Sequence, residues 1–415
     1  MRVVGARSAT AVALPVAHLG AAQLFLLLGA IGLVDVAPML AAGMHAAAPV
    51  VAVTHLFTLG WISTSILGAL YQFLPVALGQ PIAWRTVAWA GGAIHVVGLL
   101  LLVAGLVRAG PGVAAAGGIA LGVSLGAFVV NLGATLRRSS TRDLTWWALA
   151  GAATFLGITI VLGVALASDL RWGILGIAHA LAVATHLTVA LSGWVSLVVI
   201  GVSQRLLPMF LLSHGARGSL GRWAAASVGT GAGVLALGHH ADVVRRWLAP
   251  ALLGAGALSF VLQARAYYVR RSRRHLDPGL WLAAVALGLL ALAAAVGVLS
   301  RISSPAPRLA SFATTAAILA FALYVGAFQY KIVPFLVWHR HFGPLAGRQP
   351  LPRVADLYRA DIAMVATWSL VIGTAGLLAG VGTATTHLAT AGAGAFALGA
   401  VAMVAQIFAI ARRRP

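Results

Sequence analysis

Apolar blocks long enough to cross a lipid bilayer follow one another almost without a break along this 415-residue chain. A membrane-crossing helix needs about 20 mostly apolar residues. Such blocks occupy roughly 11–34, 47–76, 86–107, 113–136, 144–167, 173–210, 222–239, 248–269, 279–300, 309–337, 360–381 and 387–411. Hydrophobic residues make up 61% of the chain and charged residues 8%, too little charge to cover a water-facing surface. Backbone polar groups in a bilayer must bond internally, so such blocks fold as helices. The expected architecture is all-α: a polytopic bundle of about twelve transmembrane helices. No hydrophilic insert is long enough to fold alone, so residues 1–415 read as a single transmembrane domain. The first block begins at Ala11 and is long enough to span, and no cleavable signal peptide is expected.

The loops between the blocks carry an alternating charge bias. Arg85; Arg137, Arg138 and Arg142; Arg217 and Arg222; Arg270, Arg271, Arg273 and Arg274; and Arg340, Arg348, Arg353 and Arg359 fall in even-numbered loops, with Arg412, Arg413 and Arg414 in the tail. The odd loops hold only Arg108, Arg171, Arg245, Arg246, Arg301 and Arg308. Basic residues collect on the cytoplasmic side. The bias predicts both termini in the cytoplasm and a bacterial-type cytoplasmic (inner) membrane. The net charge of +21 is therefore read as topology and contact with anionic lipid, and nucleic acid is not an expected partner. The chain has no cysteine, which excludes disulfides, iron–sulfur clusters and thiolate metal sites. It also has no glutamate and a single lysine, Lys331.

Two blocks repeat each other. THLFTLGWISTSILGALYQFLPV begins at Thr54, and THLTVALSGWVSLVVIGVSQRLLPMF begins at Thr185. Gly60 matches Gly193, Trp61 matches Trp194, Gly68 matches Gly201 and Pro75 matches Pro208. The distance from His to Gly-Trp differs by two residues, so His55 and His186 are out of strict register. A fainter copy runs through Gly326, Gln329, Val333 and Pro334 in the tenth block. Blocks two, six and ten are four apart, which predicts pseudo-repeats over roughly 11–136, 144–269 and 279–411.

Thirteen histidines are the main metal-ligating groups available. The predicted topology places His45, His55, His179, His186, His239, His240 and His387 in the outer half, His95 near the middle and His18 in the cytoplasmic half. Ionisable residues within a membrane are costly and mark functional sites. Neutral imidazole suits haem iron and copper. Each outer histidine alone also fits a helix–helix hydrogen bond, and His239 with His240 fits a polar helix end.

The helix count, the four-helix period and the outer histidines together resemble the haem-copper oxidase subunit I superfamily. The stretch YKIVPFLVWHRHFGPLAGRQPLPRVADLY from Tyr330 looks like its short, C-type (cbb3-like) branch. The resemblance implies a b-type haem ligated from the second helix, where His55 stands. It implies copper held from the sixth helix, by His179 or His186, and by an adjacent pair at the outer end of the seventh, His239 and His240. The Thr386-His387-Leu388 triplet echoes Thr54-His55-Leu56 and makes His387 a candidate second axial ligand.

The departures narrow this expectation. The tenth-helix stretch from Ser311, SFATTAAILAF, has no histidine where the family places a haem-ligating pair. Val183 and Ala190 stand where a tyrosine would be needed, and the glutamates of the nitric-oxide-reducing members are absent. Asp35 and Asp361 sit near helix ends and suggest no proton path. The expected protein binds a b-type haem, copper or both, for electron transfer or for binding a diatomic gas (NO or O2), without a complete oxidase centre. It is at most a degenerate oxidase-like oxidoreductase, and no catalytic residue is assigned. Its expected partners are the lipid bilayer and other respiratory subunits or a cytochrome donor. Two alternatives stand beside it: a non-catalytic structural or assembly subunit that has lost its metals, and a copper or small-solute transporter.

Overall fold

The computed structural model describes residues 5–214, 218–238, 241–302 and 306–415. Its helices are α1 (Gly5–Ala41), α2 (Ala48–Leu78), α3 (Arg85–Ala109), α4 (Pro111–Arg138), α5 (Leu144–Trp172), α6 (Gly176–Leu211), α7 (Leu220–Gly238), α8 (Val244–Val269), α9 (Pro278–Ile302), α10 (Pro307–His341), α11 (Ala360–Thr383) and α12 (Thr386–Ala411). Eleven of these are long and apolar enough to cross a membrane. The shorter α7, which covers the predicted block at 222–239, is not among them. The all-helical architecture is compatible with a polytopic membrane bundle.

Helix ends follow local chemistry. Gly110, at φ 90°, turns the chain sharply, and Pro111 then opens α4 at a position where its missing N–H costs nothing. Asp143 caps α5 by accepting from the Trp146 backbone N–H at 3.1 Å. Gly173, at φ 61°, closes the same helix.

The chain forms two compact units that interleave along the sequence. The first comprises Met1–Phe73, His275–Ala286 and Leu319–Pro415; the second comprises Leu74–Arg274 and Leu287–Ile318. In the first, α1 lies against α2 and α12, and α12 pairs closely with α11. In the second, α3 through α8 pack mainly as sequential neighbours. Close pairing relies on small residues, as expected where no hydrophobic force drives helices together in lipid. A Cβ on Gly105 would sit 2.2 Å from the Ala114 nitrogen, so α3 and α4 meet almost backbone to backbone there. Large apolar side chains such as Ile31, Val161, Ile372 and Leu398 point outward, which suits contact with a bilayer.

Both matched Gly-Trp dipeptides lie in π-helical turns. Leu56–Ser63 is π-helical within α2 and holds Gly60 and Trp61; Val189–Val195 is π-helical within α6 and holds Gly193 and Trp194. A hydroxyl reaches back five residues in each: Thr64 Oγ1 donates to the Leu59 carbonyl at 2.9 Å and Ser196 Oγ to the Leu191 carbonyl at 2.8 Å. Both indoles are buried. The α10 copy does not share this turn, since Pro307–His341 is one α-helix.

Candidate functional site

His55 is the last α-helical residue before the π turn of α2. Its Nδ1 lies 2.8 Å from the Val51 carbonyl, and its side chain is part-buried. A carbonyl oxygen only accepts, so Nδ1 carries a proton and the neutral ring has its lone pair on Nε2. Ligating histidines are commonly oriented in this way, with the second nitrogen held by a backbone carbonyl. The π turn that follows adds an extra residue to the helix, a device frequent at functional sites.

The π turn that follows His55 packs against α10 and α12 of the first unit. Phe57 meets Phe396 of α12 edge to face, with ring centroids 5.8 Å apart. Trp61 is 1% exposed, and its Nε1 donates to the Ala322 carbonyl of α10 at 3.0 Å. A Cβ on Gly326 would lie 3.2 Å from Met403 and 3.6 Å from Trp61, so α2, α10 and α12 are closely packed at this level.

His387 is differently placed. It is the second residue of α12 and is exposed. The Phe57–Phe396 contact sets the register between α2 and α12. Since Gly326 touches both Trp61 and Met403, the two helices run in the same direction there. At a rise of about 1.5 Å per residue, His387 then lies roughly 10 Å beyond the level of His55. Two axial ligands of one haem must stand at nearly the same level. The shared Thr-His-Leu triplet therefore has two settings: a helix interior at His55 and an exposed first turn at His387.

The expected copper ligands have protein partners of their own. His179 bonds through Nδ1 to Asp169 Oδ2 at 2.7 Å. His186 bonds through Nδ1 to the Thr159 carbonyl of α5 at 3.2 Å. His239 and His240 lie outside the described residues. Among the described residues, no group of three or more His, Cys, Asp or Glu is placed to hold a metal ion. His179 and His186 are thus held through Nδ1 in the same way as His55, with the ring's lone pair on Nε2.

Two groups were under-read in the sequence. His18 is 5% exposed, bonds through Nδ1 to the Leu14 carbonyl at 3.0 Å, and leaves Nε2 buried with no protein partner. Gln23, in the same helix, is 1% exposed with both amide atoms unpartnered. The sequence places His18 in the cytoplasmic half of its helix and gives it no role, and nothing in the neighbourhood of Gln23 singles it out. Compared with known proteins, the chain matches no family model and no curated protein.

Proposed function

We propose that this chain is an integral membrane protein of haem-copper-oxidase-like type that carries one b-type haem on His55, without a complete oxidase centre. The observation that carries the reading is the hydrogen bond from His55 Nδ1 to the Val51 carbonyl at 2.8 Å, which directs the lone pair to Nε2. The Val51 carbonyl fixes the ring. A bound haem supplies one-electron and diatomic-ligand chemistry at its iron. With His387 exposed and out of level, His55 is the histidine that would hold the haem, and an iron held by one protein ligand would suit binding NO or O2 better than simple electron transfer. The arginine-rich even loops support both termini facing the cytoplasm. The test is the optical spectrum of protein purified from haem-replete cells. A Soret band that is lost in His55→Ala supports the reading. Its absence in the unaltered protein sinks it, and metal analysis of the same sample reports on copper.

A second reading, a structural or assembly subunit that has lost its metals, is favoured by the tenth-helix stretch from Ser311, which has no histidine. Co-purification with respiratory membrane subunits, with neither haem nor copper present, distinguishes it.

A further inference from the structure

We infer that the first unit holds a second, separate site: a buried pocket of ordered water, or another small uncharged hydrogen-bonding ligand, gathered by His18, Gln23 and Gln329. His18 faces α2, where a Cβ on Gly68 would meet its own Cβ at 2.9 Å and where its ring lies edge-on to Tyr71, with centroids 5.0 Å apart. Leu19 also turns to Gly68, at 3.3 Å. Gln23 is one turn on from Leu19 and so occupies the same face of α1. The contacts of Gly29 with Phe57 and of Gly32 with Val53 show that α1 and α2 run antiparallel. That register puts Gln23 level with Ser63 and Thr64. From α10, Gln329 Nε2 donates to Ser65 Oγ at 3.0 Å, while its Oε1 is buried without a protein partner.

His18 Nε2, both amide atoms of Gln23 and Oε1 of Gln329 therefore approach one stretch of α2, and among the described residues no protein atom satisfies them. Buried polar groups are paired as a rule, and in a bilayer no bulk solvent is available to pair them. Each unpaired group in an apolar setting costs on the order of 1–3 kcal/mol, which an occupant would recover. The chemistry of the set selects the occupant. His18, with its proton on Nδ1, offers an acceptor; Gln329 offers an acceptor; Gln23 offers two N–H donors and an acceptor, and three acceptors call for at least two waters. None of these groups carries a full charge, so neither an anion nor a cation is neutralised there. Water, with two donors and two acceptors, fits the pattern, and a buried water typically makes two to four such bonds. The pocket is distinct from the His55 region, since the stretch from Ser63 to Gly68 lies eight to thirteen residues further along α2, roughly 12–20 Å at helical rise.

The full-length protein in lipid nanodiscs, solved where ordered water is visible, tests this directly. Density within hydrogen-bond distance of His18 Nε2 and the Gln23 amide is expected, and its absence overturns the inference. Gln23→Leu gives an independent readout. If the Gln23 amide binds water, the variant lowers Tm and loses density. Were that amide merely unsatisfied, an apolar replacement would leave Tm unchanged or raise it, and that result overturns the inference as well.

Discussion

Lys331, the only lysine of the chain, is ion-paired with Asp277. The pair is largely sheltered, with side chains 12% and 18% exposed. Asp277 does a second job, accepting from the Leu280 backbone N–H at 3.1 Å at the start of α9. One carboxylate thus caps a helix and neutralises the cation carried by α10. Asp277→Asn should retain the cap and lose the charge, whereas Asp277→Ala should lose both. Caps contribute about 1 kcal/mol, and leaving the sheltered Lys331 cation unpaired costs more than that. The expected order of Tm in detergent is unaltered protein, then Asp277→Asn, then Asp277→Ala.

Trp61 offers a second measurement. Its indole is buried in the π turn and donates to the Ala322 carbonyl at 3.0 Å. Trp61→Phe preserves an aromatic ring and removes the donor. The expected loss is about 1–2 kcal/mol, from the missing bond and the smaller ring. A thermal shift assay on the purified variant reads it. No change in Tm would mean that the indole N–H contributes nothing to holding α2 against α10.

The helices were legible because hydropathy in a membrane protein is close to a direct readout of secondary structure. The block predicted at 360–381 folds as Ala360–Thr383, and the one at 113–136 as Pro111–Arg138. The first block was under-read, since α1 continues to Ala41 past Pro38, beyond the predicted end at residue 34. A proline near the end of a long helix removes one bond without ending it.

The Gly-Trp repeat was visible as a pattern, but its meaning was not. Composition gives no sign that the dipeptides mark π turns, because a π turn is an added residue in a helix and leaves hydropathy unchanged. The histidines show the same limit. Sequence placed His55, His179 and His186 in one half of the bundle, but the partner of each ring depends on which carbonyl or carboxylate packs beside it. Val51 and Asp169 are near in sequence to their histidines, whereas Thr159 reaches His186 from another helix.

The haem proposal makes a prediction that separates the histidines. His55→Ala should abolish haem binding. His179→Ala and His186→Ala, to which the proposal gives no part in holding haem, should leave haem content unchanged. His387→Ala should also leave it unchanged, since that side chain is exposed at the start of α12. The pyridine haemochrome content of the four purified variants checks all of these together. Equal loss in His55→Ala and His387→Ala would restore the paired axial ligation that the triplet echo suggested.

Two glycines of α12, two residues apart, make opposite predictions from one helix. A Cβ on Gly392 would lie 2.1 Å from the Leu377 nitrogen of α11, whereas a Cβ on Gly394 meets nothing within 4 Å. Backbone cannot yield as a flexible side chain can, so Gly392→Ala must push α11 and α12 apart. Overpacking of this kind costs about 1–3 kcal/mol, and the helix gains only about 1 kcal/mol from the added methyl. Gly394→Ala takes the same helix gain with no clash, so it should hold or raise Tm. The pair controls for helix propensity and for position in the bundle. If both variants melted alike, α11 and α12 would not be packed as closely as Gly373, Gly380 and Gly392 require.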